Sequence, residues 1–230
     1  MSALPLLWGD DVTKALPYKI APSLLSADVL NLSNEIASLL KAGADYIHLD
    51  VMDNHYVPNL TFGPLFCKAI HQQFPQSQLD VHLMVTPVDA LIDAYATAGA
   101  ARISIHPDAT IHLDRSLSLI HSYQCQAGLA LNPADSPECL QWIKHRLDFV
   151  LLMTVNPGFG GQQLIEPVLD KIRWIHQHFP KLAICVDGGV TLDNIRHIAE
   201  AGATEFVAGS AILSTDNYQT TIQQLRQKLV

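Results

Sequence analysis

The sequence predicts an α/β fold, a closed (β/α)8 TIM barrel, from three observations. Its 230 residues lie close to the roughly 250 typical of such a barrel. Apolar, β-branched stretches alternate with helical patterns all along the chain, the rhythm of repeated βα units. Ionisable residues and glycine-rich words fall where those stretches end, which in such a barrel is the catalytic face.

Strands are expected over 19–23, 45–50, 78–84, 101–106, 125–131, 147–154, 182–187 and 204–208. Helical spacing near 3.6 predicts helices over 29–42, 64–74, 87–98, 112–123, 137–145, 165–178, 191–200 and 218–229. Ala42-Gly43-Ala44, Ala98-Gly99-Ala100 and Ala201-Gly202-Ala203 each close a helix with a glycine able to take the left-handed C-cap conformation. An open doubly wound sheet needs fewer units and a topological switch point. With no linker or composition break, one catalytic domain is expected over 19–230, with 1–18 as an N-terminal extension.

Composition narrows the function. The formal net charge of -8 argues against nucleic acid or an anionic membrane as partner. No apolar run approaches the ~20 residues that cross a bilayer. Cys67, Cys125, Cys139 and Cys185 form no C-x-x-C pair, so reduced thiols in a cytoplasmic protein are expected. Met1 to Trp8 lacks a basic start and is soon followed by Asp10-Asp11, a poor signal peptide.

The chemistry sits in three short words: His48-Leu49-Asp50, Asp80-Val81-His82 and Val186-Asp187-Gly188-Gly189. Residues two apart on a strand share a face, so His48 aims with Asp50, and Asp80 with His82. Any one of them alone could satisfy a buried backbone group. His48, Asp50, His82 and Asp187 together, all at strand ends, point to one divalent metal ion, Zn²⁺, Fe²⁺, Mn²⁺ or Co²⁺. Asp80 lies deeper on the same face and is expected to orient His82.

Glycine words follow the last three strands: Gly158-Phe159-Gly160-Gly161, Gly188-Gly189 and Gly209-Ser210. Three such loops on one face predict a backbone cradle for a phosphate group. Met52 and Met84 continue the inward rows 48-50-52 and 80-82-84, and Met153 ends the sixth strand. Core filling explains them equally well; the sharper reading is an apolar rim that keeps water from a carbanion-like intermediate. Ser23 closes the first strand, where its hydroxyl could meet a substrate hydroxyl or a local backbone group. His71, His121, His176, His178 and His197 fall on helices and are expected at the surface.

Ala21-Pro22-Ser23-Leu24-Leu25-Ser26-Ala27-Asp28, the run from His48 to Asn59, Asp80 to Val85, Val155 to Gln162, Val186 to Gly189 and Ala208 to Ile212 together closely resemble ribulose-phosphate 3-epimerases, from about residue 19 to the C-terminus. The resemblance implies a ribulose-phosphate-binding barrel of the pentose phosphate pathway that interconverts D-ribulose 5-phosphate and D-xylulose 5-phosphate. It implies that His48, Asp50, His82 and Asp187 hold the metal, and that Asp50 and Asp187 are the acid–base pair. It implies too that Ser23 and His82 contact the sugar, with Gly158 to Gly161, Gly188-Gly189 and Gly209-Ser210 at the phosphate. Two departures stand out: Asp108 where the family usually has Glu, and Asp135-Ser136 where it often has Thr-Pro.

Inverting a carbon next to a ketone needs a proton removed from one face and another returned to the opposite face, which two carboxyl groups can supply. An allulose 6-phosphate epimerase would share this chemistry. A Schiff-base aldolase needs a lysine inside a strand, and Lys19 lies only at the start of one; a non-catalytic phosphosugar-binding barrel needs no opposed acids. The partner is then a small phosphorylated ketose, and a homo-oligomer is expected, as barrels of this kind often associate.

Overall fold

In the computed structural model, residues 18–230 are described; the expectations for the N-terminal extension therefore fall outside the described residues. Eight parallel strands form one sheet in the order β1-β8-β7-β6-β5-β4-β3-β2. They are β1 Lys19–Pro22, β2 Ile47–Met52, β3 Leu79–Met84, β4 Arg102–Ile105, β5 Gln126–Leu131, β6 Phe149–Met153, β7 Ala183–Asp187 and β8 Glu205–Ala208. The ring closes between β1 and β2 through a parallel bridge from Ser23 to His48. There the Ile20 amide donates to Asp45 Oδ2 at 2.7 Å, and the Asp45 amide donates to the Ile20 carbonyl at 3.0 Å.

The helices are α1 Leu32–Lys41, α2 Pro64–Gln73, α3 Asp89–Thr97, α4 Leu113–Ser122, α5 Leu140–Ile143, α6 Val168–His178, α7 Ile195–Glu200, α8 Ser210–Leu213 and α9 Tyr218–Lys228. Gly43, Gly99 and Gly202 end α1, α3 and α7 with positive φ, as expected. Four helices start three or four residues later than periodicity alone predicts: α7 begins at Ile195 rather than 191, and α1, α5 and α6 each show a local reason. Asp28 Oδ1 accepts from the Leu30 amide and starts a 3₁₀ turn ahead of α1. Ser136 and Pro137 likewise open a 3₁₀ turn before α5. Pro167 disfavours helical backbone at Glu166, so α6 begins at Val168. The four-residue α8 is too short for periodicity to register.

Every second strand residue points inward. Outward residues such as Ile20, Leu49, Val81, Ile103, Leu129, Val150 and Ile184 pack under the helices as the main core. Inward ones split into an apolar group on one side, with Phe149, Leu151, Met153, Cys185 and Val207, and a charged floor. Arg102 is 1% exposed and fills the middle of that floor. Its guanidinium contacts Asp80 (Nε–Oδ1 2.8 Å, Nη2–Oδ2 2.9 Å) and donates to Glu205. It lies over the rings of Tyr46 and Phe149, at 3.9 and 4.2 Å from their centroids. Lys19 completes the set, donating to Tyr46 Oη at 2.6 Å and pairing with Glu205 at 3.4 Å.

Burial opposes the Arg102 charge, but Asp80 foremost and then Glu205 outweigh it and hold the guanidinium charged. Removing one member of a buried ionic set strands its partners. Arg102→Leu should therefore cost about 3–5 kcal/mol in urea unfolding; a cost below about 1 kcal/mol would show that the floor needs no cation.

Candidate active site

His48 and Asp50 rise from β2, His82 from β3 and Asp187 from the end of β7. In the β2–β3 register His48 stands opposite Asp80, and Asp50 opposite His82. One ligand atom from each of His48, Asp50, His82 and Asp187 lies within 4.8 Å of all the others. His48 Nε2 is 3.4 Å from Asp50 Oδ1 and 3.7 Å from Asp187 Oδ2; His82 Nδ1 is 3.5 and 3.8 Å from the same two oxygens. The structure thus brings together the four residues that the sequence singled out.

His48 Nε2 and His82 Nδ1 are fully buried and make no hydrogen bond. Two lone-pair donors and two carboxylates converging on one point match a divalent cation site in ligand type and number. The electrostatics say the same. Burial favours neutral His48, yet Asp50 and Asp80 push its pKa well above the ordinary imidazole value. Burial also raises Asp50, but His48 and His82 outweigh it and hold that carboxyl well below the carboxylate range. Asp187 is raised, by burial first and then by the Asp50 charge. Burial lowers His82 in the opposite sense, favouring its neutral ring.

Asp80 orients His48 and not, as parity on β3 suggests, His82: its Oδ2 lies 2.7 Å from His48 Nδ1. Successive same-face residues on one strand are about 6.6 Å apart, whereas neighbouring strands are about 4.8 Å apart, so the cross-strand partner wins. Arg102 holds the Asp80 carboxyl below its usual range against the effect of burial, so a carboxylate faces His48 Nδ1–H and leaves Nε2 for the cluster.

Ser23 Oγ donates to Asp50 Oδ2 at 2.5 Å and accepts from the Leu25 amide at 3.2 Å. This turns Asp50 Oδ1 toward the imidazoles. Above lies a cavity of about 560 Å³ lined by Ser23, Asp50, Asp187, Met52, Met84 and Met153, and by all three glycine words. His82 is fully buried and sits behind that wall. Phe159 is half exposed at the mouth. Among the described residues lining the cavity there is no Lys or Arg, so backbone N–H groups and hydroxyls must hold any anion there. Gly188 has φ +115°, and a Cβ on it would meet Val155 Cγ2 at 2.4 Å; at Gly189, with φ +65°, a Cβ would meet the Leu164 amide nitrogen at 2.6 Å. Both positions require glycine.

Several supporting residues escaped the sequence reading. Thr154 donates to the Gly188 carbonyl and so fixes the backbone beyond Asp187. Thr61 donates to the Asp50 carbonyl and accepts from the Met52 amide at 3.0 Å. Asp53 ties its loop to β3 by accepting from the amides of His55, Tyr56 and Thr86. His106, fully buried past the end of β4, puts Nε2 2.9 Å from His82 Nε2, and burial drives its pKa well below the imidazole value. Asp108, one of the two departures, accepts from Tyr56 Oη at 2.9 Å, beside the His106 ring. A phenol among buried rings or a lone histidine gives no periodic signal. The five helical histidines are exposed, as expected.

Residues 19–213 match the sequence profile of the ribulose-phosphate 3 epimerase family. The chain belongs to this family. It is 48% identical to ribulose-phosphate 3-epimerase of Escherichia coli strain K12, with 92% of this chain and 96% of that protein covered. It is 47% identical to ribulose-phosphate 3-epimerase 1 of Cupriavidus necator, with 99% and 98% covered. Among solved structures, 3-hexulose-6-phosphate synthase from Salmonella typhimurium superposes with TM-score 0.71 at 15% identity, over 92% of this chain and 98% of that one. At that identity the likeness shows the barrel alone. Among the described residues, no helix is long and apolar enough to cross a membrane.

If Asp80 serves His48, Asp80→Asn should weaken Co²⁺ binding roughly 10–100-fold while the far-ultraviolet circular dichroism stays native. Unchanged affinity in a folded variant would remove the role.

Proposed function

We propose that the chain interconverts D-ribulose 5-phosphate and D-xylulose 5-phosphate at carbon 3, with Asp50 and Asp187 exchanging protons with the sugar from opposite faces. One observation carries the reading: two carboxyl groups, from β2 and β7, line one cavity beside a pair of imidazoles, the Asp50 carboxyl pushed down by His48 and His82 and the Asp187 carboxyl pushed up by burial and by Asp50. Neighbouring titratable groups whose environments push their pKa values apart are an acid and a base. Family membership supplies the reaction and the pentulose phosphate.

For one direction, the Asp50 carboxylate takes the proton from carbon 3, and the electron pair of that C–H bond moves toward the carbonyl oxygen on carbon 2, giving an enediolate. The Asp187 carboxylic acid then delivers its proton to the opposite face of carbon 3. Asp50 is left protonated and Asp187 ionised, ready for the reverse direction. Ser23 steadies the Asp50 carboxyl by the bond to Oδ2 and so fixes its orientation in the cavity. Met52, Met84 and Met153 present apolar surface around the reacting carbons and exclude water. The loops carrying Gly158 to Gly161, Gly188-Gly189 and Gly209-Ser210 cradle the phosphate with backbone N–H groups, which orients the sugar without entering the bond changes.

His48, Asp50, His82 and Asp187 would hold one divalent cation, Zn²⁺, Fe²⁺, Mn²⁺ or Co²⁺. When bound, such an ion supplies positive charge against the electron density that gathers on the sugar oxygens. We further assign residues 19–230 to a single catalytic domain preceded by an extension over 1–18. The protein works in the cytoplasm, in keeping with four free cysteines. It works as a homo-oligomer, for which Leu65, Ile111 and Trp142 offer exposed apolar surface.

Asp50→Asn and Asp187→Asn should each lower kcat for the pentulose phosphate at least about 10²–10⁴-fold in a folded barrel. Near-normal turnover in either would remove the two-acid scheme. Stripping metal with a chelator should abolish epimerisation and adding one of the four ions back should restore it; a stripped sample that stays fully active would exclude the metal. Deuterium from D₂O should enter carbon 3 of the product, and its absence would exclude proton exchange altogether.

A further inference from the structure

The His82 ring has two sides with different duties. Nδ1 faces Asp50 and Asp187. On the other side, Nε2 lies 2.9 Å from Nε2 of His106, with the ring centroids 5.0 Å apart. Both residues are fully buried. Two ring nitrogens this close share one proton between them, so one donates and the other accepts.

The direction of that bond decides what Nδ1 can do. A neutral imidazole carries a single N–H. If His82 donates, its proton sits on Nε2 and the lone pair of Nδ1 is free. If His106 donates, the His82 proton moves to Nδ1, points at Asp50 and Asp187, and leaves no lone pair for a cation. The His106 ring is held in position, and its Nδ1 has no hydrogen-bond partner among the described residues. Its ring packs on Tyr56 at 4.8 Å between centroids, and the Tyr56 hydroxyl donates to Asp108 and accepts from Asn132 Nδ2 at 3.1 Å.

We propose that His106 is a positioning residue that accepts the Nε2–H of His82 and so selects the tautomer in which His82 Nδ1 ligates a divalent cation. It rests on the metal reading given above, and it makes the two imidazole ligands unlike: His48 is held from behind by a carboxylate, His82 by a neutral ring.

The test is Zn²⁺ titration by calorimetry into metal-stripped full-length protein, comparing wild type with His106→Leu and His106→Gln. Leucine offers no acceptor, and its variant should bind Zn²⁺ roughly 10–100-fold more weakly. Glutamine restores a carbonyl oxygen and should recover most of the affinity. A folded Leu variant with lower Tm but wild-type Zn²⁺ affinity would make His106 merely structural and overturn the proposal. So would a Gln variant as weak as Leu. A second measurement needs no variant: ¹⁵N NMR of the Zn²⁺-loaded wild type should find the proton on Nε2 of His82 and on Nδ1 of His106. A proton on Nε2 of His106 would overturn the assignment. If wild type takes up no Zn²⁺ at all, the metal reading fails first, and this assignment falls with it.

Discussion

Two carboxyl groups buried a few ångströms apart cannot both be ionised without positive charge close by, because neither water nor distance separates them. Asp50, buried, and Asp187, partly buried beside it at the cavity, come close to that position, and much of the barrel interior follows from it. The inward face of the strands carries four acids: Asp50, Asp80, Asp187 and Glu205. Arg102 and Lys19 answer the lower two, Asp80 and Glu205. Two negative charges remain at the upper level, beside two imidazole nitrogens without partners. One divalent ion would balance that remainder in both charge and ligand count. The same surplus of negative charge raises the pKa values of His48 and Asp187.

The cavity keeps this charge problem apart from the problem of holding an anion. A lysine or arginine in its lining would pair with Asp50 or Asp187 and compete with any cation held there. The lining uses glycine backbone instead, at positions such as Gly188 and Gly189 where a Cβ would collide with Val155 or Leu164. Amide dipoles attract a phosphate at short range and do little to the carboxyl groups on the cavity floor. Asn59 reaches across to the Gly158 carbonyl at 2.9 Å, so the loop after β2 and the loop after β6 are held in common.

The four central residues were legible in the sequence because a strand has a period of two and a barrel strand has a catalytic end. His48 with Asp50, Asp80 with His82, and Asp187 followed by two glycines carry both signals in a few letters. Helix ends were less legible: Pro167 and the caps at Asp28 and Ser136 overrode the apolar period. Partnership across strands was not legible at all. Period and parity give the face of Asp80 but not its neighbour, which depends on the register of β2 against β3. His106 was hidden for the same reason, since it meets His82 from a different strand. Arg102 carries no signal of its own in the sequence, and its place in the floor follows only once Glu205, more than a hundred residues away, is brought beside it.

The register of β3 joins the two levels. Asp80 belongs to the charged floor and His82 to the His–Asp cluster above it, and they are consecutive inward residues of one strand. The cross-strand bond from Asp80 to His48 lets the floor act on the level above: Arg102 fixes Asp80, Asp80 fixes the proton on His48 Nδ1, and His48 Nε2 is left facing Asp50. A slip of β3 by one residue would turn Asp80 and His82 outward together, exposing Arg102 to an unpaired burial and leaving His48 and His106 without their partners. The floor and the site therefore stand or fall as one unit, and the buried ions beneath the cavity serve the chemistry by holding that register.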